Sequence, residues 1–340
     1  MLSVRTGRRR GRHTEGGGMG WGGGGGPFPL AAAGVLFRDG AGRLMVVRAV
    51  YEHEHPVEVP GGGWELQDAT LRETAVRELL EEMALRPRLQ GLASVDWAMA
   101  RYRPPIVSFL YWAPAPTAAE LAAVRLQEDE IGGYAFVTPR QAASALPPKL
   151  SRRVTACLRA PAGSEPVELE DSRPVGPAAA LLPPLPAPPY TRAAGLALAG
   201  GDRPPVTPPL DRRTYIATRP RIRALVQVLA TDGAGRVVSV EGTVAADRET
   251  PRGTAARLLR ERLGTVRPPG RLLGLDWLPA DTGVMPQLVY VFDGGRLGGA
   301  RPDAVPAAEA GPRAAACLAR RGGPGGAIEL VNGVSAAGPA

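Results

Sequence analysis

Apolar residues first cluster in two runs of strand length, Leu30–Phe37 and Leu44–Arg48, separated by Asp39-Gly40-Ala41-Gly42. Such runs around an Asp-Gly turn predict a β-hairpin. A glycine loop, Gly61-Gly62-Gly63, follows, and the period then changes. From about Ala69 to Met83 the apolar positions Ala75, Val76, Leu79, Leu80 and Met83 recur at helical spacing, which predicts a helix with that stripe in the core. Strand-like runs at Leu92–Ala98, Pro105–Trp112 and Gly133–Val137, with helices over Pro139–Leu146 and Ser151–Leu158, complete a domain of the α/β class. Between Arg173 and Asp211, Pro-Pro pairs at 183–184, 188–189, 204–205 and 208–209 exclude helix interiors and central strands, predicting a partly extended linker.

After the linker the first pattern returns. Asp39-Gly-Ala-Gly-Arg43 reappears as Asp232-Gly-Ala-Gly-Arg236, an offset of 193. Thr70 to Arg77 returns as Thr250 to Arg257, and Asp96-Trp97 as Asp276-Trp277, both at an offset of 180. Ala156-Cys157-Leu158 returns as Ala316-Cys317-Leu318 at 160. Four matches in one order predict a tandem duplication. The falling offsets place two deletions in the second copy, the first at about the glycine-loop segment and the second removing the counterpart of Glu128-Asp129-Glu130. The expected organisation is a Gly/Arg-rich tail at 1–28, a first domain at 29–172, a Pro-rich linker at 173–211 and a degenerate copy at 212–335.

Composition narrows the function classes. The 44 Gly and 36 Pro suit long unstructured stretches, and aromatics at 5% argue against base-stacking platforms for single-stranded nucleic acid. Much of the +8 net charge sits in the tail, at Arg5, Arg8, Arg9, Arg10 and Arg12, which leaves nucleic acid only a weak contact through phosphate attraction. Two cysteines, Cys157 and Cys317, are too few for a disulfide framework and are expected as buried thiols. No apolar run spans a membrane, and the arginines lead into glycines at 16–26 instead of an apolar signal region, so a cytoplasmic protein is expected.

The chemistry concentrates on the predicted helix. Glu78, Glu81 and Glu82 stand at i, i+3 and i+4, so three carboxylates share one face. Like charges so spaced destabilise a bare helix by a few tenths of a kcal/mol per pair. A hard divalent cation, Mg²⁺ or Mn²⁺, would reverse that cost by taking carboxylate oxygens, waters and substrate phosphates. Taken alone, the glutamates would read as an ordinary solvated face, as most Glu-rich helix faces do. Pro60-Gly61-Gly62-Gly63 leads directly toward the helix, however, and loop amides beside a helix N-terminus suit phosphate.

Pro60 to Leu85 resembles the Nudix hydrolase family, whose box reads G-x5-E-x7-R-E-U-x-E-E-x-G-U with U aliphatic. Arg77-Glu78-Leu79-Leu80-Glu81-Glu82-Met83-Ala84-Leu85 follows its second half, except that Ala84 replaces glycine. Gly62 is followed after five residues by Asp68, a shorter acid than the family's Glu, and eight residues instead of seven separate Asp68 from Arg77. The resemblance implies an α/β/α sandwich with a mixed sheet, present once intact and once degenerate. It implies Mg²⁺- or Mn²⁺-assisted hydrolysis of a phosphoanhydride in a nucleoside diphosphate joined to another group. By position, Glu78, Glu81 and Glu82 would be metal ligands, with Arg77 and Glu81 catalytic and Arg77 orienting a glutamate. The Gly61 carbonyl, Asp68, and Glu128 or Glu130 would be further ligand or base candidates, while Gly62, Gly63 and Glu65 would meet substrate. Glu128, Asp129 and Glu130 fit an exposed acidic turn equally well.

The second copy keeps Arg257 and Gly264 but has Leu258 and Arg262 where the first has Glu78 and Glu82, with only Glu261 preserved, so it is expected to be inactive. His53 and His55 lack further zinc ligands and are expected as loop residues, and Trp64 and Tyr51 as partly buried. The expected partner is a small-molecule nucleotide, with no membrane and a homodimer left open. The rival to a hydrolase is a nucleotide-sensing protein without turnover.

Overall fold

The computed structural model describes residues 28–51, 54–99, 103–161, 165–182, 190–198, 212–245, 249–281, 283–321 and 327–336. The Gly/Arg-rich tail up to residue 27, His53 and all four Pro-Pro pairs lie outside the described residues.

In chain order the first half runs β1 (Leu30–Arg38), β2 (Leu44–Ala49), β3 (Val57–Glu58), β4 (Gly61–Gly63), α1 (Leu71–Met83), β5 (Leu92–Ala98), β6 (Ile106–Pro114), α2 (Ala118–Ala122), β7 (Ile131–Val137), α3 (Pro139–Ala145), α4 (Pro148–Arg159), β8 (Val167–Glu170) and β9 (Arg173–Pro174). Three helices follow, α5 (Pro177–Leu181), α6 (Arg192–Leu198) and α7 (Arg212–Thr218). The second half runs β10 (Arg223–Thr231), β11 (Val237–Thr243), α8 (Pro251–Leu263), β12 (Leu272–Leu278), β13 (Gln287–Arg296), a 3₁₀ turn at Ala307–Glu309, α9 (Pro312–Ala319), β14 (Ile328–Val331) and β15 (Val334–Ser335).

The first sheet is mixed, in the order β3-β2-β1-β6-β5-β8-β9, with β4 on β1 and β7 on β2. β1 reads as an uninterrupted apolar run because both its faces are covered. Val35 and Phe37 enter the core under α1, while Leu36 enters a second core with Val154 and Cys157 of α4. The sheet therefore lies between helices, as an α/β/α sandwich.

The second sheet, β11-β10-β13-β12-β14-β15, repeats the order and polarity of β1-β6-β5-β8-β9: β10 is parallel to β13, β12 antiparallel to β13, and β12 parallel to β14. The recurring sequence motifs are fixtures of this frame. Asp39 accepts from the amides of Ala41 and Arg43, and Asp232 does the same for Ala234 and Arg236, with Gly42 and Gly235 both at positive φ. Asp96 caps the β8–β9 turn at the Ser172 amide and holds Arg153 of α4; Asp276 does both jobs at Gly333 and Arg313.

Two sequence expectations are corrected. The glycine-loop segment, expected to be absent from the second half, has a counterpart there. Gly61–Gly63 pair with Gly34–Ala32 on β1, and Glu241–Thr243 pair with Gln227–Leu225 on β10, so the segment survives as the end of β11. What is missing is the excursion between β2 and β4, which carries Glu58 and His55. The described residues of the stretch from Arg173, expected as a partly extended linker, also include regular elements. It contains β9, α5 and α6, and α6 lays Ala194 and Leu198 on the core beneath α3.

The two halves share one apolar core, in which Trp64 meets Trp277 edge-on at 5.3 Å and Trp97 meets Tyr290 at 6.4 Å. Around it the polar contacts are reciprocal. Arg72 bonds Glu329 of the second half, stacks on its own Tyr111 and donates to the carbonyls of Leu89 and Gln90. Arg252 bonds Glu168 of the first half, stacks on its own Phe292 and donates to the carbonyls of Pro269 and Gly270. Such i-to-j and j-to-i pairing is the signature of a two-fold interface, here within one chain.

Candidate active site

α1 begins at Thr70, whose side chain accepts from the Glu73 amide, and closes at Ala84 in the left-handed region, φ 52° and ψ 30°. Its buried positions are Leu71, Thr74, Ala75, Glu78, Leu79, Glu82 and Met83. The stripe predicted from the sequence was rotated: Leu80 is exposed at 40% and Val76 is half-buried, while two glutamates take core-facing places. Burying two carboxylates on one helix is costly unless something compensates them.

Arg77 is the nearest compensation. Its Nε and Nη2 clasp both oxygens of buried Asp68 at 2.8 and 2.9 Å, its Nη1 reaches Glu81 at 2.9 Å and Glu78 at 3.0 Å, and Nη2 donates to the Gly63 carbonyl at 2.9 Å. Burial works against the guanidinium charge, but the Asp68 bonds and the charges of Glu78, Asp68 and Glu81 outweigh it and hold Arg77 above its ordinary range. Asp68 also accepts from Thr74 and from the Glu65 amide, so the structure places it on Arg77, with both its oxygens engaged there. The second half explains the unusual spacing. There Glu249, at the family distance from Arg257, makes the same two-oxygen clasp at 2.8 and 3.1 Å. In the first half the shorter Asp68 and one extra residue reach the same arrangement.

Beyond this clasp lies a carboxylate cluster. Glu58, Glu78, Glu82 and Glu130 are all buried. Burial pushes Glu78 up to about 8, with Arg77 opposing and Glu81 and Glu130 adding to the rise. Glu82 is raised well above the usual carboxylate range by burial and by Glu78 and Glu130, a Gly61 amide 3.4 Å away pulls it down, and Glu58 raises it again. Glu130 arrives because the loop before β7 is tied to the helix end, with Arg125 and Gln127 donating to the carbonyls of Met83 and Glu82. Its neighbours Glu128 and Asp129 are exposed. Glu58 was not found from the sequence. It sits on a two-residue strand whose only cue is the Val57-Glu58-Val59 alternation, and pairing with Val47 of β2 brings it in.

The glycine loop supports these carboxylates. A Cβ on Gly62 would fall 2.3 Å from the Glu78 carboxyl carbon, and one on Gly61, at φ 138°, would meet the Ala33 carbonyl at 2.3 Å. Among the described residues, no group of three or more His, Cys, Asp or Glu is already disposed as an ion cage. The donor chemistry nonetheless fits a hard divalent cation: the buried carboxylates of Glu58, Glu78, Glu82 and Glu130 lie close enough to raise Glu78 and Glu82. A cavity of about 460 Å³ adjoins them, lined by Glu58, Gly61 and Gly63 and by Arg103, Lys149 and Arg219. His55 also lines it and packs edge-on against Tyr190, and Trp64 is buried against Trp277.

At the corresponding place in the second half, Leu258 is buried against Gly242, Glu261 is half-exposed, Arg262 replaces Glu82, and the segments bearing Glu58 and Glu130 are missing.

Compared with known proteins, residues 28–156 match the family model of the NUDIX domain. The chain carries a NUDIX domain. The match begins just ahead of β1 and ends within α4, enclosing every residue of the clasp and the cluster. The match spans less than half of the chain and stops before β8. Among solved structures, a MutT protein from Methanosarcina mazei Go1 is 18% identical over 36% of this chain and 86% of its own, with a TM-score of 0.30. A NUDIX hydrolase from Nitrosomonas europaea is 15% identical over 42% and 78%, at 0.34. An ADP-ribose pyrophosphatase from Streptococcus suis is 14% identical over 42% and 99%, at 0.32. No curated protein matches the chain. No helix among the described residues is long and apolar enough to cross a membrane.

Proposed function

We propose that the NUDIX domain is a Mg²⁺- or Mn²⁺-dependent hydrolase that cleaves a phosphoanhydride bond of a nucleoside diphosphate joined to another group. One observation carries the reading: Glu78 and Glu82 are buried on the core stripe of α1 beside Glu58 and Glu130, with the Arg77 guanidinium bonded to Glu78. Glu78, Glu82, Glu58 and Glu130 would hold the ion, which when bound polarises a phosphoryl oxygen and lowers the pKa of water. Glu81 is the least buried of the three helix glutamates and is fixed by Arg77 at 2.9 Å, so it is placed to take the proton of the attacking water. Asp68 and the Gly63 carbonyl set the orientation of Arg77. The cavity beside Glu58 and the glycine loop, with Arg103, Lys149 and Arg219 on its wall, receives the anionic substrate.

The repeated strand order, the matched turns and the second Arg–Glu clasp support descent of both halves from one ancestral domain, the second having lost its carboxylates. A turnover screen in Mg²⁺ and Mn²⁺ across nucleotide sugars, ADP-ribose, dinucleoside polyphosphates and nucleoside triphosphates tests the proposal. Wild type is expected to split at least one of them at a phosphoanhydride, and Glu81→Gln to lose about 100-fold or more in kcat. Nucleotide binding with no turnover by either protein would replace the hydrolase with the sensor.

A further inference from the structure

The cavity beside the glycine loop is completed by the second half of the chain. Ile216, Arg219 and Pro220, from α7 and the segment leading into β10, share its lining with Glu58, Gly61 and Gly63. That segment is fixed at both sides of Arg219: Arg221 donates to the Ile216 carbonyl at 2.9 Å, and the Ile222 amide donates to the Pro29 carbonyl at 3.1 Å, just ahead of β1. Arg219 itself donates to Glu65 at 2.7 Å, with its side chain only 10% exposed. Glu65 in turn offers its amide to Asp68, the acid that clasps Arg77. A chain of charged contacts thus runs from the second half to the carboxylate helix.

Of the other cations on the wall, Arg103 donates to the Pro104 carbonyl at 3.0 Å, and two more hold carboxylates of the first half. Arg153 holds Asp96 and Ser108, and Lys149 holds Asp171 and the Met99 carbonyl, both joining parts of the first half to one another. Arg219 differs in that its carboxylate partner belongs to the turn between the glycine loop and α1. A guanidinium is also the group whose planar fork matches phosphate oxygens.

We propose that Arg219 is a specificity-determining residue of the first half's site, supplied by the second half: its guanidinium receives an anionic group of the substrate in the cavity, and Glu65 sets its position. This rests on the hydrolase site being where the preceding section puts it. It also gives the second half a use that needs none of the lost carboxylates.

The test uses the full chain with Arg219→Ala, Arg219→Lys and Glu65→Gln. Three quantities are read: calorimetric binding of ADP in Mg²⁺, kcat and KM on whichever substrate the screen returns, and the thermal midpoint. Arg219→Ala is expected to weaken ADP binding and raise KM about tenfold, with kcat within about threefold. Arg219→Lys should recover part of the loss, and Glu65→Gln should show a smaller rise in KM. If Arg219→Ala shifted only the thermal midpoint, leaving ADP affinity and KM at wild-type values, Arg219 would be a structural latch and the proposal would fall. Should Arg219→Ala fail to fold, Arg219→Lys and Glu65→Gln decide by the same criterion. ADP binding by wild type without turnover of any substrate would sink the hydrolase reading while the binding comparison still judges Arg219.

Discussion

Ala84 ends α1 at φ 52°, whereas its counterpart Gly264 ends α8 at φ 68°. A Cβ in the left-handed region costs about 1 kcal/mol or more, so Ala84→Gly is expected to stabilise the protein by about 1 kcal/mol. Urea denaturation checks this through a raised midpoint at unchanged slope. Gly62 is the opposite case. The Glu78 carboxyl already fills the space a Cβ would need, so Gly62→Ala displaces that carboxylate. The variant is expected to fold but to bind Mn²⁺ about tenfold more weakly, a ratio readable by calorimetry. The box residues were legible because their order is their signal. Asp68 was legible only as a departure: its two-oxygen hold on Arg77 depends on the path of the loop, which spacing alone does not give.

At the scale of the element, α1 carries its own pH sensor. Glu78 moves from an ordinary carboxylate value of 4.5 in the unfolded chain to about 8 when folded, and Glu82 moves the same way. A raised carboxyl means that the folded state holds protons the unfolded state has released, so stability falls as pH rises through that interval. The metal-free protein is therefore expected to lose thermal stability progressively between about pH 5 and pH 8, and Mg²⁺ or Mn²⁺ to restore it most at the upper end. Scanning calorimetry in chelator and in metal measures both, and a midpoint that rose with pH in chelator would contradict the assignment. The long apolar runs gave β1, β2, β5, β6 and α1 close to their observed bounds, since strands buried on two faces and an amphipathic helix announce their period. β3, β4 and β8 were not legible. They are two to four residues long and exist through pairing with distant strands, which is why Glu58 escaped notice. The rotated stripe has a similar cause, because a pattern read from apolar residues alone assigns Leu80 a buried place that Glu78 and Glu82 occupy.

Across the whole molecule, the two halves cover each other's facing surfaces in one shared apolar core. Arg72 with Glu329 and Arg252 with Glu168 satisfy each other across the shared core. The chain is therefore expected to sediment as a monomer of 35.5 kDa, although its sequence left a homodimer open. A dimer at micromolar concentration would show that another face of the molecule associates. The four short motifs recur because they build the turns and caps that both sheets need. The proposed difference between the halves rests on their carboxylates.

The most direct measurement makes one substitution in each half, Glu81→Gln and its counterpart Glu261→Gln, and compares their Mg²⁺-dependent turnover with wild type. The account predicts that Glu81→Gln loses about 100-fold or more in kcat while Glu261→Gln stays within twofold of wild type. Equal losses in both variants, or none in Glu81→Gln, would contradict a single site on α1.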